Sequence, residues 1–250
     1  NSNGCQTTAT ITVNPLPTIT GTLNACVGST SQLTGSATAT TSNAWSSSNT
    51  AVATVSNTGL VTGVSAGSTI ITYTNSNGCE ISATITINDL PIITNQTATI
   101  CSDSPSGESL GASSSVAATT YNITAINQNG LTPSAGNPSV GSGFLDNEIA
   151  DDAWTNITPL PVDVEYTVVP VSANGCQGNP FTVTLTINPE PVVANQTSTI
   201  CSDINSGLLL NLSSSVFAAS YTISNINSNG LTPYAGNPQI GTGFLNDVIA

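Results

Sequence analysis

The sequence predicts an all-β fold of tandem β-sandwich domains in an extended array, and three observations carry that prediction. First, several segments alternate apolar residues with Thr, the period of a strand with one face in a core and one in water. Second, proline-containing linkers follow these segments at domain-length intervals. Third, the chain repeats itself. Residues 91–150 and 191–250 align at an offset of 100 without gaps, with 36 of 60 positions identical. Self-similarity at domain length is the mark of an array.

Three strands share one design: Thr8-Ala9-Thr10-Ile11-Thr12-Val13-Asn14, Ser82-Ala83-Thr84-Ile85-Thr86-Ile87-Asn88 and Thr182-Val183-Thr184-Leu185-Thr186-Ile187-Asn188. Thr is β-branched, so it gives an uncharged polar face without loss of strand propensity. The linkers Asn14-Pro15-Leu16-Pro17, Asn88-Asp89-Leu90-Pro91 and Asn188-Pro189-Glu190-Pro191 come next. Proline cannot donate to a ladder and so ends each strand. These linkers divide the chain into the C-terminal strand of one domain (1–14), two whole domains (15–88 and 89–188) and the front of a fourth (189–250). The sequence is therefore expected to open inside a longer protein. Within 15–88, Ala51-Val52-Ala53-Thr54-Val55 and Leu60-Val61-Thr62-Gly63-Val64 flank a turn at Asn57-Thr58-Gly59, a hairpin signature. No segment reads as a helix.

Composition removes most chemistry. The 250 residues contain no Lys, Arg or His, and the net charge is −13. Charged residues make up 5% of the chain, against about 25% in ordinary domains. Without cations on the protein, nucleic acid is excluded as a partner and anionic membrane surfaces are disfavoured. No apolar run has the ~18 residues of a membrane span, so no membrane insertion is expected. Without His or Lys there is no Ser-His-Asp, Cys-His or Schiff-base site. The G-x-G fragments Gly141-Ser142-Gly143 and Gly241-Thr242-Gly243 lack a third glycine and a following helix, and read as turns. The chain is expected not to be an enzyme.

The motifs then carry a resemblance. Ala44-Trp45-Ser46-Ser47-Ser48-Asn49, Val52-Ala53-Thr54-Val55 and Gly59-Leu60-Val61-Thr62-Gly63-Val64-Ser65-Ala66-Gly67 resemble the bacterial immunoglobulin-like group 2 domain of surface adhesins. Ile100-Cys101-Ser102-Asp103, Ile149-Ala150-Asp151-Asp152, Tyr166-Thr167-Val168 and Asn174-Gly175-Cys176 resemble the PKD-like domains repeated in giant surface proteins of Bacteroidota. These resemblances imply a bacterial Ig-like domain over 15–88, a PKD-like domain over 89–188 and a second, truncated PKD-like domain over 189–250. They also imply a secreted cell-surface adhesin tied to gliding motility and exported by the type IX system. Its partners would be a surface polysaccharide or other extracellular target and the outer-membrane secretion and motility machinery.

Six cysteines fall into two contexts. Cys26, Cys101 and Cys201 lie early in a domain; Cys5, Cys79 and Cys176 follow Asn-Gly and precede a last strand. One rule explains all six: Cys26 pairs with Cys79, Cys101 pairs with Cys176, and Cys5 and Cys201 pair outside the sequence. Buried free thiols are the alternative. Metal binding fits poorly without CxxC or His. Disulfides imply an oxidising compartment or a place outside the cell, and the location expected is the cell surface.

The remaining candidate chemistry is acidic. Asp146, Glu148, Asp151, Asp152, Asp163 and Glu165 lie between 146 and 165, six of the 13 acids. No cation can neutralise them, so they face water or a metal. Calcium, which takes oxygen ligands, is the one cofactor the sequence suggests. Its ligands would be Asp151 and Asp152, with Asp146 or Glu148 in reach. A solvated acidic loop is the competing reading. Trp154 either begins a strand and packs in the core, or stacks on a sugar beside such a calcium. The latter would make the chain a carbohydrate-binding module using the 146–154 loop. A structural subunit that polymerises through uncovered edge strands is the third reading.

Overall fold

The computed structural model describes residues 8–111, 116–201, 215–218, 220–227, 229–230 and 241–242. The described residues hold strands and turns and no helix. The fold is a tandem of β-sandwiches, built in two compact units. The first runs to Ile93 and also takes in a short piece ending at Thr119 and the segment Pro170–Asn179; the second holds the intervening residues and those from Pro180 on.

In the first unit, β1 (Ile19–Gly21), β3 (Thr30–Gly35), β6 (Leu60–Gly63) and β5 (Ala53–Val55) form one sheet, ordered β1-β3-β6-β5. The other contains β2 (Asn24–Cys26), β8 (Glu80–Asn88), β7 (Gly67–Thr74) and β4 (Trp45–Ser47), ordered β2-β8-β7-β4. Leu33, Ala53 and Val61 from one sheet meet Trp45, Ile71, Tyr73, Ile85 and Ile87 from the other in a single core. Trp45 and Tyr73 are register partners with ring centroids 4.7 Å apart. The hairpin expected around Asn57-Thr58-Gly59 is β5–β6, registering Ala53 with Gly63 and Val55 with Val61. Trp45 is the core anchor of this sandwich.

A further sheet, in the second unit except for residues 118–119 and 170–172, joins β12 (Gly141–Phe144), β10 (Ala118–Asn127), β14 (Val162–Ser172), β15 (Phe181–Asn188) and β9 (Gln96–Cys101) in the order β12-β10-β14-β15-β9. A two-stranded sheet pairs β11 (Thr132–Ala135) with β13 (Ala153–Thr155). Along β15 the alternation is complete, with Phe181, Val183, Leu185 and Ile187 buried and the residues between them half-buried.

In each domain an early strand lies parallel to the last. β2 runs beside β8 with Cys26 opposite Asn88, and β9 runs beside β15 with Cys101 opposite Asn188. The strand expected at Thr8–Asn14 is not formed; Ile11 and Val13 are 86% exposed. Its pattern is that of a strand, but a strand exists only in a ladder, and no described strand pairs with it.

Candidate functional site

Two features stand apart from ordinary sandwich packing: a covalent clasp and a buried acid. The clasp joins Cys26, at the end of β2, to Cys176, with Cα atoms 5.6 Å apart across 150 residues of sequence. Cys176 sits in the hairpin between β14 and β15. Gly175 N–H donates to Ser172 O at 2.9 Å, Ser172 N–H to Cys176 O at 2.9 Å, and Cys176 N–H to Ser172 Oγ at 3.2 Å. Beside the bond, Asn174 Nδ2 donates to Asn88 Oδ1 at 3.0 Å.

This corrects the expected pairings. Cys26 bonds Cys176, not Cys79, and both Cys79 and Cys101 are free thiols. The parallel pairing is the reason. Cys101 lies beside Asn188, the last residue of β15, whereas Cys176 precedes Phe181, the first. Seven strand steps at ~3.3 Å put the two roughly 23 Å apart, far beyond the ~7 Å that a disulfide spans. Cys26 is separated from Cys79 in the same way by the length of β8. Cys201 is likewise free and exposed; Cys5 lies outside the described residues.

The acidic loop does not assemble as a four-ligand cation site. Asp152 turns inward and is 2% exposed, its Oδ2 accepting the Tyr166 hydroxyl at 2.8 Å. Trp154 Nε1–H in turn donates to that hydroxyl oxygen at 3.1 Å. Gly136 makes room: it has φ +73°, and a side chain there would collide with Asp152 Oδ1. Burial pushes the Asp152 carboxyl up to about 6; the Tyr166 hydrogen bond opposes this, and the charges of Asp151 and Glu148 add to it. Burial and the same acid hold the Tyr166 hydroxyl un-ionised, far above its ordinary range. Asp146 instead approaches Gly111 and Tyr121. Glu148 and Asp151 line an open depression with Pro105, Asn137, Asn147 and Ala150. Among the described residues no three Asp, Glu, Cys or His side chains converge on a common point. The other two acids of the run are engaged locally, Asp163 with the Thr186 hydroxyl at 2.6 Å and Glu165 with Asn127 Nδ2 at 3.5 Å.

Trp154 is wholly buried, with its ring edge-on to Tyr166 at 6.4 Å, so it cannot stack on a sugar. The core reading holds and the ligand-binding one does not.

Sequence reasoning missed three residues here. Tyr166 carries the Asp152 contact. Asn156, fully buried, donates through Nδ2 to Leu160 O at 3.0 Å and Ile187 O at 2.8 Å. Buried Ser106 donates to Ile149 O at 2.5 Å. The signal for Asp152 was present. It lay only in the neighbouring Trp154 as a core residue: Asp152 precedes β13, and Asp152, Ala153 and Trp154 are all buried.

Comparison with known proteins agrees with the architecture. The bacterial Ig-like domain (group 2) family matches residues 8–86, and the PKD-like domain family matches residues 98–191. The chain thus carries a bacterial Ig-like domain and a PKD-like domain. No curated protein matches the chain. Solved structures similar to it include the S-layer protein rSbsC, 13% identical with a TM-score of 0.28 over 66% of this chain and 24% of that one. The fibronectin(III)-like modules of CbhA from Clostridium thermocellum are 10% identical with a TM-score of 0.28, over 69% and 95% of the two chains. Human protocadherin-24 EC1-2 is 12% identical with a TM-score of 0.25, over 71% and 100%. The chain spans about a quarter of the length of that S-layer protein.

Proposed function

We propose that the chain is a non-enzymatic repeat segment of a secreted bacterial surface adhesin of the giant gliding-associated type, serving as a stalk and as a weakly charged adhesive surface. The observation that carries this reading is the Cys26–Cys176 bond. It ties a strand of the Ig-like domain to a hairpin of the PKD-like domain. A cross-link that closes so long a loop keeps those residues from being drawn out when the chain is pulled from its ends. Such a bond also persists only where the surroundings are oxidising, as they are outside the cell. A polar surface of Thr, Ser and Asn with only negative charge fits hydrogen bonding to hydrated extracellular polysaccharide better than electrostatic capture of an anionic surface. Among the described residues no helix is long and apolar enough to cross a membrane.

The experiment is labelling and deletion in the source cells. The protein should be accessible to antibody on intact cells, and cells lacking it should attach and spread poorly on a polysaccharide surface. A protein found only inside the cell, or a deletion strain that attaches normally, would overturn the proposal.

A further inference from the structure

The free thiols Cys101 and Cys79 sit in the same two settings as the bonded pair. Cys26 is opposite Asn88, Val27 N–H donates to Asn88 O at 3.0 Å, and Ser29 N–H donates to Cys26 O at 3.0 Å. Cys101 is opposite Asn188, Ser102 N–H donates to Asn188 O at 3.0 Å, and Ser104 N–H donates to Cys101 O at 3.2 Å. Both residues therefore end the strand that lies parallel to the final strand of a domain, beside the last residue of that final strand.

The hairpins correspond as closely. Around Cys176, Gly175 has φ +77° and Ser172 N–H reaches Cys176 O at 2.9 Å. Around Cys79, Gly78 has φ +75°, Asn75 N–H reaches Cys79 O at 3.0 Å, and Cys79 N–H reaches Asn75 Oδ1 at 3.0 Å. Each hairpin carries Asn-Gly-Cys, Asn77-Gly78-Cys79 and Asn174-Gly175-Cys176. Cys101 is exposed and Cys79 half-buried, so neither is sealed inside its own domain.

We propose that Cys26–Cys176 is one rung of a directional disulfide ladder. The early cysteine of each domain bonds the Asn-Gly-Cys hairpin of the domain that follows it. Cys101 then bonds the hairpin cysteine of the repeat that follows 89–188, and Cys79 bonds the early cysteine of a domain that precedes 15–88. The second observation behind each free thiol is the formed bond between its structural equivalents. Cys201, which repeats Cys101 at an offset of 100, is the early cysteine of the next rung.

The bond forms by thiol–disulfide exchange with a disulfide-bearing oxidant, either an oxidoreductase or a small-molecule disulfide. The Cys101 thiolate attacks one sulfur of the oxidant and expels the other as thiolate. The hairpin thiolate then attacks Cys101 Sγ and expels the second oxidant sulfur. The two protein thiols lose two protons and two electrons, and the oxidant leaves reduced, an oxidoreductase as its dithiol and a small-molecule disulfide as two thiols.

The test is non-reducing peptide mapping after cleavage at acidic residues and with chymotrypsin, which separates Cys26 from Cys79 at Trp45, with free thiols alkylated first. One sample is the native array isolated from the cell surface. The other is the 250-residue chain extended by a second copy of residues 151–188, which completes the repeat opened at 191. Expected in both is Cys101 bonded to the hairpin cysteine of the following repeat, with Cys26–Cys176 intact. Cys101→Ser in the extended chain should leave that hairpin cysteine alkylated. Cys101 recovered as a free thiol from the native array overturns the ladder whatever the extended chain does. So does Cys101 bonded to Cys79, to Cys201 or to a second copy of the chain, the last appearing as a reducible dimer.

Discussion

The Tyr166 hydroxyl donates to Asp152 at 2.8 Å inside the second sandwich, which makes a buried acid part of the core. Burial pushes the Asp152 carboxyl from its ordinary 3.8 up to about 6 in the folded chain. Between those two pH values the folded state holds the extra proton. Stability therefore falls as pH rises through that window and levels off above it. Allowing for partial screening by water, the loss is about 1–3 kcal/mol. Asp103 acts oppositely and at lower pH. The Thr155 hydroxyl donates to it at 2.7 Å and holds it below the ordinary carboxylate range, so its contribution is lost only as pH falls below about 4.

Thermal melts followed by Trp154 fluorescence in a Trp45→Phe background should show a lower midpoint at pH 7 than at pH 4.5. Asp152→Asn keeps an acceptor for Tyr166 and removes the titration, so it should flatten this dependence and raise the midpoint at pH 7. A wild-type midpoint that climbs from pH 4.5 to 7 would refute the argument.

Calcium should have little effect on this domain. Of the four acids that could have formed a site, Asp152 is held by Tyr166 and Asp146 lies against Gly111 and Tyr121. Glu148 and Asp151 alone share the open depression, and two carboxylates fall short of the 6–8 oxygens calcium takes. Melting curves in millimolar calcium and in EDTA should superimpose. A rise of several degrees with calcium, abolished by Asp151→Asn, would revive the site.

Trp154 and Trp45 should behave alike. Each fills a core, so Trp→Ala at either position should cost about 3–5 kcal/mol of unfolding free energy. Glycan-array binding by folded Trp154→Phe should match wild type, since the ring meets Tyr166 and no solvent. Selective loss of one glycan in that variant would restore the carbohydrate-module reading.

What the sequence disclosed was local. Period-2 alternation marked β8 and β15, and the Asn57-Thr58-Gly59 turn marked the β5–β6 hairpin, because both signals lie within a few residues. Strand order was not legible, and the errors follow from that. Pairing early with late cysteines inside each domain fails because, although both flank the last strand, the parallel pairing of β2 with β8 and of β9 with β15 puts them at opposite ends of it. The acidic run looks like one cluster only because its members are close in sequence. The chain leaves a turn at Asp151 and enters β13 at Ala153, so Asp151 reaches water while Asp152 reaches Tyr166. Thr8–Asn14 shows the converse: a strand pattern without a partner forms no strand.

The clasp should be most visible under load. It closes 150 residues, and in the chain-entropy model a loop of that size contributes about 5 kcal/mol. Cys26→Ser with Cys176→Ser should lower the chemical midpoint accordingly. Pulled from its two ends, the oxidised chain cannot release the residues between Cys26 and Cys176, because force passes through the bond. At ~3.5 Å per residue the hidden length is roughly 50 nm. Single-molecule traces should therefore gain about that much contour length when reductant is added, and the double-serine variant should show the full length without it. Equal contour lengths in oxidised and reduced wild type would mean that the bond does not form in solution, and the mechanical role proposed for it would fall.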